Sequence, residues 1–388
     1  METFAFRVVR EGRSHMQKKN PPIYVTRPSL PPIEEYEQYV REIFGSRFLT
    51  NNGALHRRLE SALAEKLGAP YFRLFTNGHL ALECAIQAFG LEIGEIITTP
   101  FTFISTTHAI VRSGFQPVFC DVEPDCYTLD PARIESLITP KTRAILPVHV
   151  YGNPCDVGAI GRVAQKHGLR VLYDAAHAFG VTVGGRGIAT FGDAAMFSFH
   201  ATKSFNTIEG GGVASADAAY AETLNGLKNF GYHPDEEITE VGGNAKMNEF
   251  QAAMGLCNLK HFESEIAKRS KVVARYRGNL AGIDGLSLRP VPKDVVSNYA
   301  YFPVAFDPEA FGSTRDDVAA ILNGYGIYPR KYFYPLSSEA ACYRVQFDPL
   351  DTPVALAASR SVLTLPLFAD LALSDVDDIC EIVLSCKK

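Results

Sequence analysis

The sequence predicts an α/β protein whose sheet is mainly parallel and covered by helices on both faces. Short apolar stretches alternate with amphipathic stretches of helical length through residues 71–215. The strand candidates are apolar along their whole length, which is typical of strands buried on both faces. The composition of the 388 residues, 46% hydrophobic and 21% charged, is that of an ordinary globular protein.

The predicted elements follow one another in a regular order. Two helices come first, over 34–44 and 54–67, where apolar residues recur at helical spacing. The strands that follow are predicted over 71–75, 95–99, 117–121, 144–149, 170–173, 194–198 and 212–215, with helices over 78–89, 105–113, 131–138 and 157–167. Strand–helix alternation of this kind is typical of an α/β sheet.

A long helical stretch over 248–283 is expected to connect two lobes. After it, strands over 299–306 and 361–365 and helices over 314–325 and 375–385 indicate a smaller α+β unit. We therefore predict a loosely ordered N-terminal arm over 1–20, a large domain over 21–258 and a small C-terminal domain over 259–388. Met16 is a candidate alternative start, because recognisable pattern begins only near Ile23.

Charge and cysteine content exclude some classes of function. A net charge of −5 argues against nucleic acid as a partner, because phosphate backbones require a basic surface. No apolar run approaches the ~18 residues of a membrane span, and residues 1–20 lack the apolar core of a secretory signal. The 8 cysteines include no Cys-x-x-Cys pair, so we expect reduced thiols and a cytoplasmic protein.

Three segments place reactive residues at the carboxyl ends of predicted strands, where open α/β sheets bind ligands. The turn at Gly78 and His79 opens a helix, and the free N–H groups of a helix start can hold a phosphate. Asp174 ends a buried strand, where a carboxylate is costly unless it meets a cation or several donors. Lys203 follows the strand over 194–198, and a desolvated lysine near positive charge becomes nucleophilic.

Each segment taken alone has a plain structural alternative. The first is a strand–helix turn capped by Asn77, Asp174 would cap the next turn, and Lys203 would be a surface lysine. Together the three are more specific, because a phosphate cradle, a strand-end carboxylate and a lysine are what pyridoxal phosphate requires. The carboxylate pairs with the pyridine nitrogen and the lysine holds the aldehyde.

The chain resembles the DegT/DnrJ family of nucleotide-sugar aminotransferases, which are pyridoxal phosphate enzymes of fold type I. The resemblance extends from about Val25 to the C-terminus and is carried by the segments 99–103, 147–152, 173–177, 197–203, 209–211 and 243–253. It implies a large domain with a mainly parallel seven-stranded sheet and a smaller C-terminal α+β domain. It also implies a homodimer whose sites are completed by the neighbouring subunit.

The resemblance implies a role for each matching residue. Lys203 matches the lysine that carries the cofactor and moves protons, and Asp174 matches the carboxylate on the pyridine nitrogen. The remaining matches are Gly78 and His79 in the phosphate loop, Phe103 stacked on the ring, His177 near the ring hydroxyl, Ser198 as a hydroxyl donor to the phosphate, and Asn244 lent across the dimer interface. Family members that act as dehydratases carry His instead of the lysine, so Lys203 favours transamination.

Two residues depart from the family pattern. His79 stands where the family often has Thr, so a hydroxyl donor to the phosphate is missing at that position. Lys246 stands where Arg is usual, which removes a bidentate fork. We expect backbone N–H groups to compensate for the first.

The substrate implied by the resemblance is a nucleotide-linked 4-keto-6-deoxyhexose, with L-glutamate as the donor that leaves as 2-oxoglutarate. Segments 25–32, 49–53 and 332–336 look like those of dTDP-4-keto-6-deoxyglucose 4-aminotransferases. Such enzymes supply amino sugars for polysaccharides, including the O-antigen of lipopolysaccharide. Tyr332 is the candidate for a ring that contacts the sugar, with core packing as its alternative. Lys331 is a candidate for the diphosphate, with a solvated basic residue as its alternative.

Two other functions stay open from the sequence. A 3-keto-sugar aminotransferase would share every cofactor residue and differ only in how the sugar sits. A non-catalytic regulatory protein on the same fold would not need the intact set of lysine, carboxylate and phosphate loop. The nucleotide (dTDP, UDP or GDP) and the stereochemistry of the amine are also open.

Overall fold

The structure, a computed structural model, describes residues 17–233, 237–290 and 292–388. The candidate start at Met16 and most of the predicted arm over 1–20 lie outside the described residues. Within the described end of the arm, Nζ of Lys19 lies 2.6 Å from a carboxylate oxygen of Asp375 and 2.5 Å from one of Asp378. Lys19 is therefore attached to the C-terminal helix.

Strands and helices alternate through the first two thirds of the chain. The strands are β1 (Ile23–Tyr24), β2 (Tyr71–Phe75), β3 (Glu95–Thr98), β4 (Gln116–Phe119), β5 (Thr142–Ile145), β6 (Arg170–Asp174), β7 (Thr182–Val183), β8 (Arg186–Gly187), β9 (Ala194–Ser198), β10 (Gly211–Ser215), β11 (Leu286–Leu288), β12 (Val295–Val296), β13 (Phe302–Phe306), β14 (Ile327–Tyr328) and β15 (Val362–Leu365).

The helices lie between and around these strands. They are α1 (Ile33–Ser46), α2 (Ala54–Leu67), α3 (Gly78–Gln87), α4 (Ser105–Arg112), α5 (Pro131–Ile134), α6 (Val157–His167), α7 (Ala218–Leu227), α8 (Glu249–Leu280), α9 (Pro308–Phe311), α10 (Arg315–Gly324), α11 (Pro353–Ser361) and α12 (Leu373–Leu384). None of the helices in the described ranges is long and apolar enough to cross a membrane.

The described residues form a seven-stranded sheet with the order β2-β10-β9-β6-β5-β3-β4. Strand β10 pairs antiparallel with both of its neighbours, and the other pairings are parallel. The predicted fold class, an α/β protein with a mainly parallel seven-stranded sheet, is confirmed. Parallel strands place their carboxyl ends at one edge, so the segments after β2, β3, β6 and β9 meet there.

Successive strand residues pack into cores on opposite faces of the sheet. Phe197 joins a cluster with helices α1, α2, α6 and α8, whereas its neighbour Met196 joins one with α3, α4 and α7. A third core, built around β13, β15, α10 and α12, belongs to the C-terminal part of the chain. Helix α8, which corresponds to the helical stretch predicted over 248–283, contributes residues to the first and the third of these cores and so connects them.

The predicted domain boundary between residues 258 and 259 falls inside helix α8, and these domain limits stay a prediction. Most predicted elements lie within a few residues of the observed ones. The strand predicted over 144–149 ends at Ile145. Beyond that residue the chain pairs with β6 at one point only, an isolated bridge between Val148 and Asp174. Helices α7 and α11, which begin after Asp217 and at Pro353, were not predicted from the sequence.

Candidate active site

The residues that follow strands β2, β3, β6 and β9 line one cavity of about 600 Å³ at the carboxyl edge of the sheet. Most of the predicted site residues meet in this cavity. Those lining it are Gly78, His79, Phe103, Asp174, His177, Ser198, Lys203 and Tyr332. Lys203 and Asp174 therefore line the same cavity.

The turn between β2 and α3 forms the phosphate side of the cavity. Asn77 caps the helix, because its side chain accepts a hydrogen bond of 2.9 Å from the backbone N–H of Leu80. Gly78 is required by close packing: a Cβ built there would lie 2.9 Å from Cβ of Ser198. The first N–H groups of a helix have no acceptor within the helix. Those of Gly78 and His79 therefore suit an anion.

Asp174 is buried at the end of β6, with 5% of its surface exposed. Its Oδ2 accepts a hydrogen bond of 2.8 Å from the hydroxyl of Thr106, and its Oδ1 accepts one of 3.0 Å from the N–H of Ala176. Burial raises the pKa of Asp174, while these two donors and the positive charge of Lys203 oppose that rise. The carboxylate is thus held in place to meet a further cation.

Lys203 follows β9 and is held by a turn in which its backbone N–H donates to the carbonyl of His200 over 2.9 Å. Burial lowers the pKa of Lys203 to about 8, and the carboxylate of Asp174 opposes the shift. The pKa of Lys228 is also about 8 for the same reason, yet that side chain is enclosed and near Glu60. The cavity, rather than the pKa, distinguishes Lys203 as the candidate nucleophile.

His177 lies beside these two groups and is held from both sides. Its Nδ1 accepts a hydrogen bond of 3.1 Å from the backbone N–H of Tyr151, and its ring stacks on Phe333 at 5.9 Å. Burial, together with the charge of Lys203, keeps the pKa of His177 well below its usual value. The ring is therefore neutral, and since Nδ1 accepts, Nε2 carries the proton and is available as a donor.

Aromatic rings form the rest of the wall. Phe103 is 60% exposed at the rim, so one face is free to stack on a planar ligand. Tyr301, Tyr332 and Phe333 close the other side, and the rings of Tyr301 and Tyr332 meet edge to face at 5.7 Å. These three residues come from the C-terminal part of the chain, so the cavity lies between it and the large sheet.

Two predicted site residues do not line this cavity. Asn244 is exposed and joins Asn229 through an isolated backbone bridge. Nζ of Lys331 lies 2.7 Å from Oδ1 of Asp316. Their assigned roles, lending a contact to a neighbouring subunit and binding a diphosphate, stay predictions.

The structure adds residues that the sequence analysis missed. Thr106 and Ser105 enter from the start of helix α4, and Tyr301 and Phe333 from the C-terminal part of the chain. A helical spacing between Thr102 and Thr106 was the only local signal, and their hydroxyls lie 2.9 Å apart. Nothing in the local pattern indicates that Thr106 reaches Asp174.

The residues of the cavity fit pyridoxal phosphate by their own geometry. A helix start that tolerates no side chain at Gly78 suits the phosphate, and the carboxylate of Asp174 suits a protonated pyridine nitrogen. The buried amine of Lys203 suits the aldehyde. Neutral His177 suits the ring hydroxyl as a donor.

Comparisons with known proteins agree with this fit. The sequence model of the DegT/DnrJ/EryC1/StrS aminotransferase family matches residues 32–384. A relative from Shigella dysenteriae, named dTDP-4-amino-4,6-dideoxy-D-glucose transaminase, is 42% identical over 364 residues, which are 94% of this chain and 98% of that protein. A relative from Escherichia coli with the same name is 42% identical over 365 residues, 93% of this chain and 98% of its own.

A solved structure of DesI, described as determined in the presence of its TDP-sugar product, is similar to this chain with a TM-score of 0.91. It is 34% identical, and the match covers 95% of this chain and 94% of that one. The chain belongs to the DegT/DnrJ/EryC1/StrS aminotransferase family. The predicted family and fold type I are thereby confirmed, and so is the prediction that the chain is a sugar aminotransferase.

Proposed function

We propose that this enzyme uses pyridoxal phosphate to move the amino group of L-glutamate to C4 of dTDP-4-keto-6-deoxyglucose. The products are 2-oxoglutarate and a dTDP-4-amino-4,6-dideoxyhexose. The observation that carries the proposal is that Lys203 and Asp174 line one cavity next to the start of helix α3. The names of the two relatives that are 42% identical support the dTDP sugar and amination at C4.

When bound, pyridoxal phosphate supplies an aldehyde that takes up the amino group and a ring that accepts the electron pair of a broken C–H bond. Asp174 would hold the proton on the pyridine nitrogen, which keeps the ring electron-poor. Thr106 donates to one oxygen of that carboxylate and Ala176 to the other, so the group keeps its orientation toward the ring. A hydrogen bond that involves a charged group is worth roughly 1.5–3 kcal/mol.

Lys203 is the group that moves protons. In the first half of the reaction its Nζ removes the proton from Cα of L-glutamate. In the second half it delivers a proton to C4 of the sugar. A pKa of about 8 leaves a substantial fraction of the amine neutral near physiological pH, which a base requires.

Tyr332 and Lys331 are proposed for the sugar nucleotide. Tyr332 lines the cavity, with its ring against Tyr301, so it can contact the sugar bound above the cofactor. Lys331 is adjacent in sequence, and its partner Asp316 is a surface carboxylate with 59% of its side chain exposed. Such an ion pair is weak, so the amine can exchange Asp316 for the diphosphate of the nucleotide.

The proposed enzyme acts as a homodimer in the cytoplasm. Asn244 is exposed and outside its own cavity, which agrees with a contact to the cofactor of a neighbouring subunit. The amino sugar would serve polysaccharide synthesis, such as that of the O-antigen of lipopolysaccharide. Reduced cysteines support the cytoplasm: all 8 of them are free in the described part of the chain.

The test is a product assay. The purified enzyme, loaded with pyridoxal phosphate, is incubated with L-glutamate and either the 4-keto or the 3-keto dTDP sugar, and the products are resolved by NMR. We expect amination at C4 and release of 2-oxoglutarate, with Lys203→Ala inactive. Amination of the 3-keto sugar alone would contradict the regiochemistry. Absence of turnover with both sugars would contradict a dTDP-linked keto sugar as the substrate.

A further inference from the structure

Tyr151 lies behind the cavity and contacts two of its walls. Its backbone N–H donates a hydrogen bond of 3.1 Å to Nδ1 of His177, on the cofactor side. Its hydroxyl donates a hydrogen bond to the backbone carbonyl of Tyr332, on the side that comes from the C-terminal part of the chain. His177 and Tyr332 line the cavity, whereas Tyr151 is not among the described residues that line it. Tyr151 therefore connects the two walls without facing a ligand.

The backbone at Tyr151 fits closely against His177. Tyr151 has a φ of 60° and a ψ of 9°, a left-handed conformation that residues other than Gly rarely adopt, and the next residue, Gly152, has a φ of 86°. A Cβ built on Gly152 would lie 2.9 Å from the carbonyl oxygen of His177. A residue keeps such a conformation only when the surrounding structure holds it there. The hydrogen bond to His177 is one contact that does so, and the packing of the Tyr151 side chain is another.

The side chain of Tyr151 is held as firmly as its backbone. Only 4% of the residue is exposed, and the plane of its ring lies within 7° of that of Phe333, with the two centroids 6.1 Å apart. Burial keeps the pKa of Tyr151 well above its usual value, so the hydroxyl stays protonated. A hydroxyl has one hydrogen and a carbonyl can only accept, so the hydrogen of the Tyr151 hydroxyl is committed to Tyr332.

Phe333 joins the same two walls through its ring. That ring is parallel to the ring of His177 within 6°, as it is to the ring of Tyr151. Loss of the Tyr151 hydroxyl would leave the carbonyl of Tyr332 without this donor, and a partly buried acceptor without a partner is costly. The wall would then relax around Tyr332, the residue proposed to contact the sugar, although Tyr151 itself contacts no ligand.

We propose that Tyr151 is a positioning residue for the keto sugar, and that it acts by holding the Tyr332 part of the wall in place relative to His177. This inference rests on the proposed function, since it requires a sugar nucleotide above the cofactor. It identifies a residue outside the cavity that determines how tightly the sugar, rather than the nucleotide, is bound. The half of the reaction that uses L-glutamate should depend on the Tyr151 hydroxyl much less, because Tyr332 is assigned to the sugar.

The experiment measures binding of dTDP-glucose to the enzyme loaded with pyridoxamine phosphate and compares it with binding of dTDP, which lacks the sugar. Dissociation constants from calorimetry require no turnover, because dTDP-glucose has no ketone and cannot react. Tyr151→Phe removes only the hydroxyl and is expected to weaken dTDP-glucose about threefold to tenfold and dTDP by less than about twofold.

Tyr276→Phe is the matched control. The buried hydroxyl of Tyr276 donates a hydrogen bond of 2.9 Å to the carbonyl of Pro366, in the C-terminal core. Its removal should change the affinity for neither ligand. Because each of the two variants loses one hydrogen bond to a carbonyl, their melting temperatures should fall by similar amounts, which also checks that both fold.

Two further measurements test how Tyr151 acts. Steady-state kinetics of Tyr151→Phe should show a KM for the keto sugar that is raised about threefold to tenfold, with kcat and the KM for L-glutamate within about twofold of wild type. In a chain that already carries Tyr332→Ala, adding Tyr151→Phe should weaken dTDP-glucose by less than about twofold, because the ring that Tyr151 positions is gone.

The outcomes separate this inference from the proposed function. Equal losses for dTDP-glucose and dTDP in Tyr151→Phe, or an unchanged affinity for dTDP-glucose, would overturn the role of Tyr151. A KM for L-glutamate that rises as much as that for the keto sugar would show a general defect and overturn it as well. The same cost of Tyr151→Phe with and without Tyr332→Ala would overturn the action through Tyr332. A wild-type enzyme that binds neither dTDP-glucose nor dTDP would overturn the substrate of the proposed function, and this inference with it.

Discussion

The hydroxyl of Thr106 donates a hydrogen bond of 2.8 Å to Oδ2 of Asp174, across 68 residues of sequence. The bond joins the first turns of helix α4 to the end of strand β6. Asp174 is only 5% exposed, so its carboxylate depends on donors from the protein, and Thr106 is one of them. Helix α4 therefore takes part in the chemistry of the cavity.

Replacing Thr106 with Val should weaken the site without changing the fold. The methyl group of Val fills the space of the hydroxyl, but Asp174 loses a hydrogen-bond donor. The pKa of this carboxylate therefore rises further, and its interaction with a protonated pyridine nitrogen becomes weaker. The loss should be roughly 1.5–3 kcal/mol in cofactor affinity. Binding of pyridoxamine phosphate to the apoenzyme, followed by calorimetry, measures it.

Thr107 provides the matched control for that experiment. It is the next residue on the helix, and its buried hydroxyl has no hydrogen-bond partner among the described residues. Thr107→Val should leave cofactor affinity unchanged and stability unchanged or slightly higher. Equal effects of the two variants on cofactor affinity would show that the Thr106 bond has no special role.

Substitution of Lys203 should abolish activity, whereas substitution of Lys228 should lower only the stability of the fold. Lys203→Ala should abolish turnover and the yellow absorbance of the loaded enzyme while the apoenzyme folds normally. Lys228→Met should keep both properties but lower the free energy of unfolding by about 1–3 kcal/mol, because Lys228 bonds the carbonyl of Leu74 and lies 3.7 Å from Glu60. Denaturant titrations and activity assays on both variants measure the difference. A turnover defect in folded Lys228→Met would contradict this division.

The pH dependence of cofactor attachment should report the pKa of Lys203. Only the neutral amine attacks an aldehyde, and the neutral form grows as pH rises through the pKa. With a pKa of about 8 instead of 10.5, the attachment rate should be half-maximal near pH 8 and level off above about pH 9. Stopped-flow absorbance of apoenzyme mixed with pyridoxal phosphate, from about pH 6 to about pH 10, measures this. A rate that still climbs steeply above about pH 9 would mean that burial does not depress the pKa.

Gly78→Ala should open the phosphate side of the cavity. A Cβ there meets Ser198 at 2.9 Å, so the helix start and strand β9 must move apart, at a cost of roughly 1–3 kcal/mol. Affinity for pyridoxamine phosphate should fall, as a fluorescence titration would show. Gly45→Ala is the control: it lies in helix α1 with no atom within 4 Å of the added Cβ, and should stabilise the protein by roughly 0.5–1 kcal/mol. If Gly78→Ala behaves like Gly45→Ala, the close packing is not needed for binding.

The sequence predicted those strands and helices whose ends are marked by residues close by in the chain. Strands β2 and β9 and helices α2 and α6 have the predicted ends because apolar periodicity and flanking Gly, Asn or Asp residues define them. Paired two-residue strands were missed, since Ile23 pairs with Ile327 across most of the chain and two residues show no periodicity. Long-range pairing of this kind leaves no local signal.

The same distinction applies to the site. Gly78, Asp174 and Lys203 were predictable because each directly follows a strand, and the edge of a parallel sheet brings such positions together. Tyr301 and Phe333 were not, because they reach the cavity only through the packing of the C-terminal core against the sheet. The hydroxyls of Ser105 and Thr106 were missed because helix α4 has to pack beside α3 before they face the cavity.

Helix α8 contributes Ala252, Cys257 and Phe262 to the core beneath the sheet, and Val272 and Tyr276 to the C-terminal core. Because one continuous rod of 32 residues is shared by both, neither core can melt without exposing part of the other. Heating should accordingly disrupt both halves in a single concerted event. The walls of the catalytic cleft would then be lost together rather than one after the other.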